Sequence, residues 1–150
     1  MAMSDAYVAG WDSKFHYNFW RPTTAIRQAA TDGNPATAAD AAWESELVTP
    51  PVQDHPSTHS ALGDAAAEVL GHVLGDATSF TMPSTSSLTP GATRSFPSFT
   101  AAANENADSR VMAGLHFRFA CNAGQALGRQ VGAWVTTTAL QPLKNLAARR

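Results

Sequence analysis

The 150-residue chain has one cysteine, Cys121, so no internal disulfide can staple it. Charge is also sparse: Asp, Glu, Lys and Arg make up 15% of the residues and leave a net charge of −2. That balance gives no broad attraction to nucleic acid or to an anionic lipid surface. Any anion the chain binds has to be met by a few cations gathered in one place. No apolar run approaches the roughly 20 residues a membrane-crossing helix needs. The start, "MAMSDAYVAGW", has neither a charged leader nor a long apolar core, so no signal peptide is expected. Internal repeats and sustained strand-like alternation are missing too. The expectation is a soluble chain, cytoplasmic by default, with no nucleic-acid or membrane partner.

What is there is apolar and rich in alanine, with 44% hydrophobic residues. This suits an all-α fold with a helical core, built as one domain over residues 1–150. Ser4 is a candidate cap for a first helix running to about Trp20, with Pro22 bending or restarting it. "TTAIRQAA" continues helically until Gly33 and Pro35 break it, and an irregular piece follows from about Ala42 to His55. Ser57 is a good cap for a helix from Thr58 to about Leu74. Its pairs Ala61/Leu62, Ala65/Ala66, Val69/Leu70 and Val73/Leu74 form one apolar stripe. "GDATSFTMPSTSSLTPGATRSFP" reads as a long polar loop. A further helix starts near Ser98. The last runs from about Phe117 to Thr138, with Leu127, Val131, Trp134 and Val135 on one face, and the tail 139–150 is expected to fray.

Three short stretches carry chemistry. In "KFHYNFWR", Lys14 and Arg21 are seven apart, which on one unbroken helix puts them within about 20° of the same face. In "HPSTHS", Ser57 caps a helix whose first-turn amides are unpaired and whose end carries partial positive charge, a ready site for an anion. His59 stands in that turn with a ring that titrates near neutrality. In "SRVMAGLHFRF", Arg110 and His116 lie on different sides of an unbroken helix, but Gly114 between them can end it and fold the chain back. Each stretch alone has an ordinary explanation: a buried stem, a plain cap, a salt bridge. His16 and His55 take no assignable role and are read as structural. Taken together, two arginines, a lysine, a capped helix start and two histidines supply what a tetrahedral oxyanion requires.

The order Lys14-x6-Arg21-Pro22, Pro56-Ser57-Thr58-His59, Ser109-Arg110-x5-His116 resembles the three-part signature of the superfamily of vanadium-dependent haloperoxidases and type-2 phosphatidic acid phosphatases. Flanking words such as "KFHYNFWRPTTAIR", "TPP" and "TRSFPSF" are similar to its soluble bacterial haloperoxidase branch. The resemblance implies a helical bundle like the C-terminal half of that fold. It implies vanadate as cofactor, or phosphate in the same place. Lys14, Arg21, Ser57, Thr58 through its amide, and Arg110 would meet the oxygens, and His116 would be the ligand to the metal. His59 would be the acid–base group and Lys14 would polarise the oxidant, with hydrogen peroxide and halide as substrates. The alternative is a phosphatase acting on a phosphate ester through a phosphohistidine on His116.

The chain departs from the family pattern in three places. Thr58 stands where glycine is usual. Ala120 stands four after His116, where the phosphatase branch tends to carry an orienting aspartate. Relatives have a helical half ahead of the lysine. A homo-oligomer is therefore expected to cover exposed helix faces, with Trp11, Phe15, Phe19 and Trp20 as candidate surface. A domain that binds the oxyanion without turnover is the remaining alternative.

Overall fold

Alanine and glycine decide how closely the helices of this chain approach. The computed structural model describes residues 1–84, 89–139 and 141. Helix α1 (Ala2–Tyr17) buries Ala2, Ala6, Gly10 and Lys14, one residue per turn. It lies against α3 (Thr58–Leu74), where Ala61 and Ala65 are fully buried. α1 starts ahead of the expected cap, with Met1 at the N-cap position and no side-chain bond there. It stops at Tyr17, short of Trp20, because Asn18 turns left-handed (φ 45°, ψ 44°), a conformation asparagine tolerates better than most residues. Pro22 then opens a separate short helix, α2 (Pro22–Arg27), with Arg21 extended at its N-cap. Lys14 and Arg21 therefore do not share a helix face.

α3 has the bounds the sequence implies, and the Ser57 hydroxyl accepts the Ser60 amide at its start. Its apolar stripe is buried only in the first half, since Leu70, Val73 and Leu74 are exposed. α4 (Phe99–Met112) is capped by Ser98, whose hydroxyl accepts the Ala101 amide at 2.9 Å. α5 (Arg118–Thr138) packs along α3 more extensively than any other pair of elements. Val135 is buried as expected, but Trp134 is 60% exposed. The face in closest contact is Ala120, Cys121, Gly124, Gly128 and Gly132. A Cβ on Gly128 would land on the Ala61 carbonyl oxygen and lie 2.9 Å from the Ala65 nitrogen. The two backbones touch, and dispersion between them replaces the large side chains of an ordinary core.

The segment expected to be only a polar loop contains an antiparallel hairpin, β1 (Phe80–Pro83) with β2 (Thr93–Phe96), pairing Phe80 with Phe96. Each strand has four residues and is mostly exposed, too short for alternation to show in the sequence. The hairpin is held to the bundle by stacking of Phe80 on Phe99. The result is an all-α bundle with one small hairpin. No described helix is long and apolar enough to cross a membrane. The tail expected to fray lies outside the described residues except for Ala139 and Gln141.

Candidate oxyanion site

The irregular stretch before α3 organises the site through its backbone. Lys14 is only 2% exposed, at the end of the small-residue stripe of α1. A buried ammonium needs acceptors. Its Nζ donates to the carbonyls of Gln53 (2.7 Å) and Asp54 (3.0 Å). Arg21 arrives across the break between α1 and α2. Its Nε donates to the Val52 carbonyl at 2.7 Å and its Nη1 to the Leu115 carbonyl at 2.8 Å. The same Nη1 stands 3.1 Å from His116 Nε2.

Gly114 performs the fold-back at the end of α4. It takes φ 72°, and the amides of Leu115 and His116 both donate to the Arg110 carbonyl, at 3.0 and 3.3 Å. His116 is thereby returned beside Arg110 and buried. A cavity of about 190 Å³ results, and its wall includes Lys14, Arg21, Thr58, His59, Arg110 and His116. Six of the seven residues singled out in the sequence thus converge on one space. Ser57 does not line it. Its hydroxyl is fully buried behind the wall and accepts from the Ser60 amide and, at 3.1 Å, from the Ser60 hydroxyl. His55 lies outside the cavity, packed edge-on against Tyr17 and tilted over Phe119. His16 packs edge-on against Tyr17.

Two residues of the site were not legible in the sequence. Asp54 is fully buried, with Oδ1 2.7 Å from His116 Nδ1. Trp11, assigned from the sequence to a contact surface, lines the cavity instead. The faint available signal for Trp11 was its spacing, three before Lys14 on the same helix. For Asp54 there was only its place beside the "HPSTHS" word.

Among the described residues the cavity wall carries an excess of positive charge: three cations and two imidazoles, with the carboxylate of Asp54 behind it against His116. The titrations respond accordingly. Burial, and then Arg21, lower the Lys14 pKa to about 8, against the pull of Asp54. Burial followed by Arg110, His116, Arg21 and Lys14 lowers His59 to about 4. The His59 ring is at the rim and partly in water, yet it is neutral at neutral pH and does not titrate there as expected from its type. Burial also lowers His116, partly offset by its contact with Asp54.

Several donors in the wall have nothing to bond. Arg110 Nε, Thr58 Oγ1 and Trp11 Nε1 are buried without an acceptor among the described residues. The first-turn amides of Thr58 and His59 lie ahead of the intrahelical ladder. Lys14 has a third N–H to offer, and Arg21 keeps its Nη2. The Thr58 branch lies beside Gly10 of α1, where an added Cβ would meet its Oγ1 at 3.6 Å and its Cγ2 at 3.8 Å, and Thr58 also lines the cavity. Buried donors without acceptors, around a cavity with excess positive charge, fit a small oxyanion such as vanadate or phosphate.

Comparison with known proteins identifies the fold. The family described as the VCPO second helical-bundle domain matches residues 1–145. The chain is similar to the crystal structure of a bacterial vanadium-dependent iodoperoxidase, at 38% identity and a TM-score of 0.80, over 91% of this chain and 31% of that one. It shares its fold with holo- and apo-type bacterial vanadium-dependent chloroperoxidase. Identity to both is 22%, with TM-scores of 0.69 and 0.68, over 88% and 86% of this chain and 32% of each of those. The chain therefore spans about a third of the length of these structures. No curated protein matches it.

Proposed function

We propose that this chain, which belongs to the family of VCPO second helical-bundle domains, carries the vanadate site of a haloperoxidase that oxidises halide with hydrogen peroxide. The observation that supports this is the convergence of Lys14, Arg21, Thr58, His59, Arg110 and His116 on one cavity lined with unused donors. His116 Nε2 is the atom that would hold the metal, and the Arg21 N–H now facing it would yield to the oxyanion. Lys14, Arg21, Arg110, the Thr58 hydroxyl and the Thr58 amide would meet its oxygens. Ser57 serves from behind, by fixing the start of α3. Vanadate held by these residues would supply Lewis-acid chemistry toward peroxide, with no change of redox state required. His59, whose pKa burial and the surrounding cations lower before an oxyanion binds, would be the base that takes a proton. Lys14 remains charged below about pH 8 and stabilises negative charge developing in its neighbourhood.

A phosphatase reading uses the same residues, with His116 as nucleophile, and one observation favours keeping it. Asp54 supplies to His116 the carboxylate that Ala120 cannot. The discriminating experiment loads the chain with orthovanadate and follows bromide- and iodide-dependent oxidation of a phenolic dye by peroxide. The vanadate-free chain is assayed in parallel on p-nitrophenyl phosphate. Halide oxidation that vanishes in His116→Ala supports the lead. Phosphate-ester turnover alone replaces it with the second reading, and vanadate binding without turnover leaves a binding domain. Absence of vanadate or phosphate binding refutes all three. A homo-oligomer belongs to the same proposal, because Tyr7, Val8 and Phe15 leave apolar surface on α1. A monodisperse monomer by light scattering at micromolar concentration removes that part.

A further inference from the structure

Asp54 is the only carboxylate at the site among the described residues, and it is fully buried. The segment that carries it is anchored on both sides. Its amide donates to the Phe19 carbonyl at 2.9 Å, and its own carbonyl accepts Lys14. The side chain is thus delivered at a fixed point beside His116, with Oδ1 2.7 Å from Nδ1. The distance is that of a hydrogen bond, although the ring N–H points off the direct line, and neither oxygen has another donor among the described residues. A buried carboxylate left alone is costly. Among the described residues, the Nδ1 hydrogen of His116 is the partner within reach.

The other ring nitrogen independently demands the same arrangement. Arg21 Nη1, 3.1 Å from Nε2, can only donate. Nε2 must therefore be the acceptor, and in the neutral ring the hydrogen belongs on Nδ1. Both contacts select one tautomer and one ring rotation. Ala120 has no side chain to do this work, and no other residue touches Nδ1 among the described contacts.

We propose that Asp54 is the positioning residue of this site: it holds the hydrogen of His116 on Nδ1 and so keeps Nε2 as the lone-pair nitrogen offered to an oxyanion's central atom. The tautomer and rotation stand on the apo geometry. Only the final clause rests on the oxyanion reading above. An outer carboxylate of this kind orients the ligand it touches and raises its electron-donating power.

The test uses the whole chain labelled with 15N-histidine. Long-range 1H–15N correlation in neutral solution reports which ring nitrogen of His116 carries hydrogen, with His116→Gln identifying the signals. The expected result is hydrogen on Nδ1 in the wild type. In Asp54→Asn, whose amide can donate as well as accept, a mixed or reversed tautomer is expected. Orthovanadate affinity, followed by 51V NMR titration, should fall about ten-fold or more in the variant, while its circular dichroism keeps the helical signal. Hydrogen on Nε2 in the wild type would overturn the proposal. So would a folded Asp54→Asn that retains both the Nδ1 tautomer and the affinity. If the variant does not fold, the wild-type spectrum decides alone. Tautomers that shift as expected in a chain that binds no vanadate would uphold Asp54 as positioning residue and refute the oxyanion reading instead.

Discussion

Replacing Gly128 by alanine sets two physical effects against each other. In a helix interior alanine is favoured over glycine by about 1 kcal/mol, so on propensity alone Gly128→Ala stabilises α5. The packing says otherwise. The new Cβ would overlap the Ala61 carbonyl oxygen and stand 2.9 Å from both the Ala65 nitrogen and the Asp64 Cβ. Two of these three atoms belong to the backbone of α3, which cannot swing aside as a side chain does. The helices have to separate, and all their mutual contacts loosen together. Overpacking of a well-filled core costs about 1–3 kcal/mol, and a clash with backbone belongs at the upper end. The propensity gain offsets part of this, leaving a net loss of about 2 kcal/mol. For a chain of this size that lowers Tm by about 4–8 °C. Gly71→Ala is the control. It also lies inside a helix, but its Cβ would meet Asp76 at an ordinary 3.5 Å. It should gain up to about 1 kcal/mol from propensity. Thermal and urea unfolding followed by circular dichroism at 222 nm measures both. Equal stabilisation by the two substitutions would refute the claim that α3 and α5 are in backbone contact.

Arg21 and Arg110 should separate when each is changed to methionine. Arg21→Met strips the Val52 and Leu115 carbonyls of their donor and should cost about 2 kcal/mol in urea unfolding. Among the described residues Arg110→Met breaks no hydrogen bond of its side chain and removes a half-buried charge that has no partner, so stability should hold or rise while vanadate affinity falls. Stability should also depend on acid through His59. Its folded pKa of about 4 lies below the ordinary 6.5. The unfolded chain therefore binds the extra proton between those values, and stability declines as pH falls from about 6.5 to about 4. His59→Gln should flatten that slope in urea midpoints measured across the window, and an unchanged slope would contradict it. Gly124→Ala pushes on the Ser57 backbone and Ser60 at the start of α3. It should weaken vanadate binding more than Gly132→Ala does, as read by the same titration.

Much of the site was legible because its signals are local. A serine before an apolar run caps a helix within four residues, and Ser57 and Ser98 both do so. Gly114 marks a chain reversal whose partners lie within a few positions, and Arg110 and His116 on either side of it line one cavity. Lys14 and Arg21 do not share a helix face, because Asn18 and Pro22 break the helix between them. The two cations still meet, through the carbonyls of residues 52–54.

By itself the sequence determined the helical class, the start of α3 at its Ser57 cap and the start of α4 at Ser98, since these follow from composition and from neighbours along the chain. Only the tertiary structure decided that Ser57 stands behind the wall, that Trp11 lines it, that the His59 pKa is lowered and that Asp54 stands 2.7 Å from His116 Nδ1. Each of those depends on burial or on a contact between segments remote in sequence, as Asp54 and His116 are. Dielectric surroundings and long-range distances are set by how helices pack, and here glycine and alanine let them pack backbone against backbone.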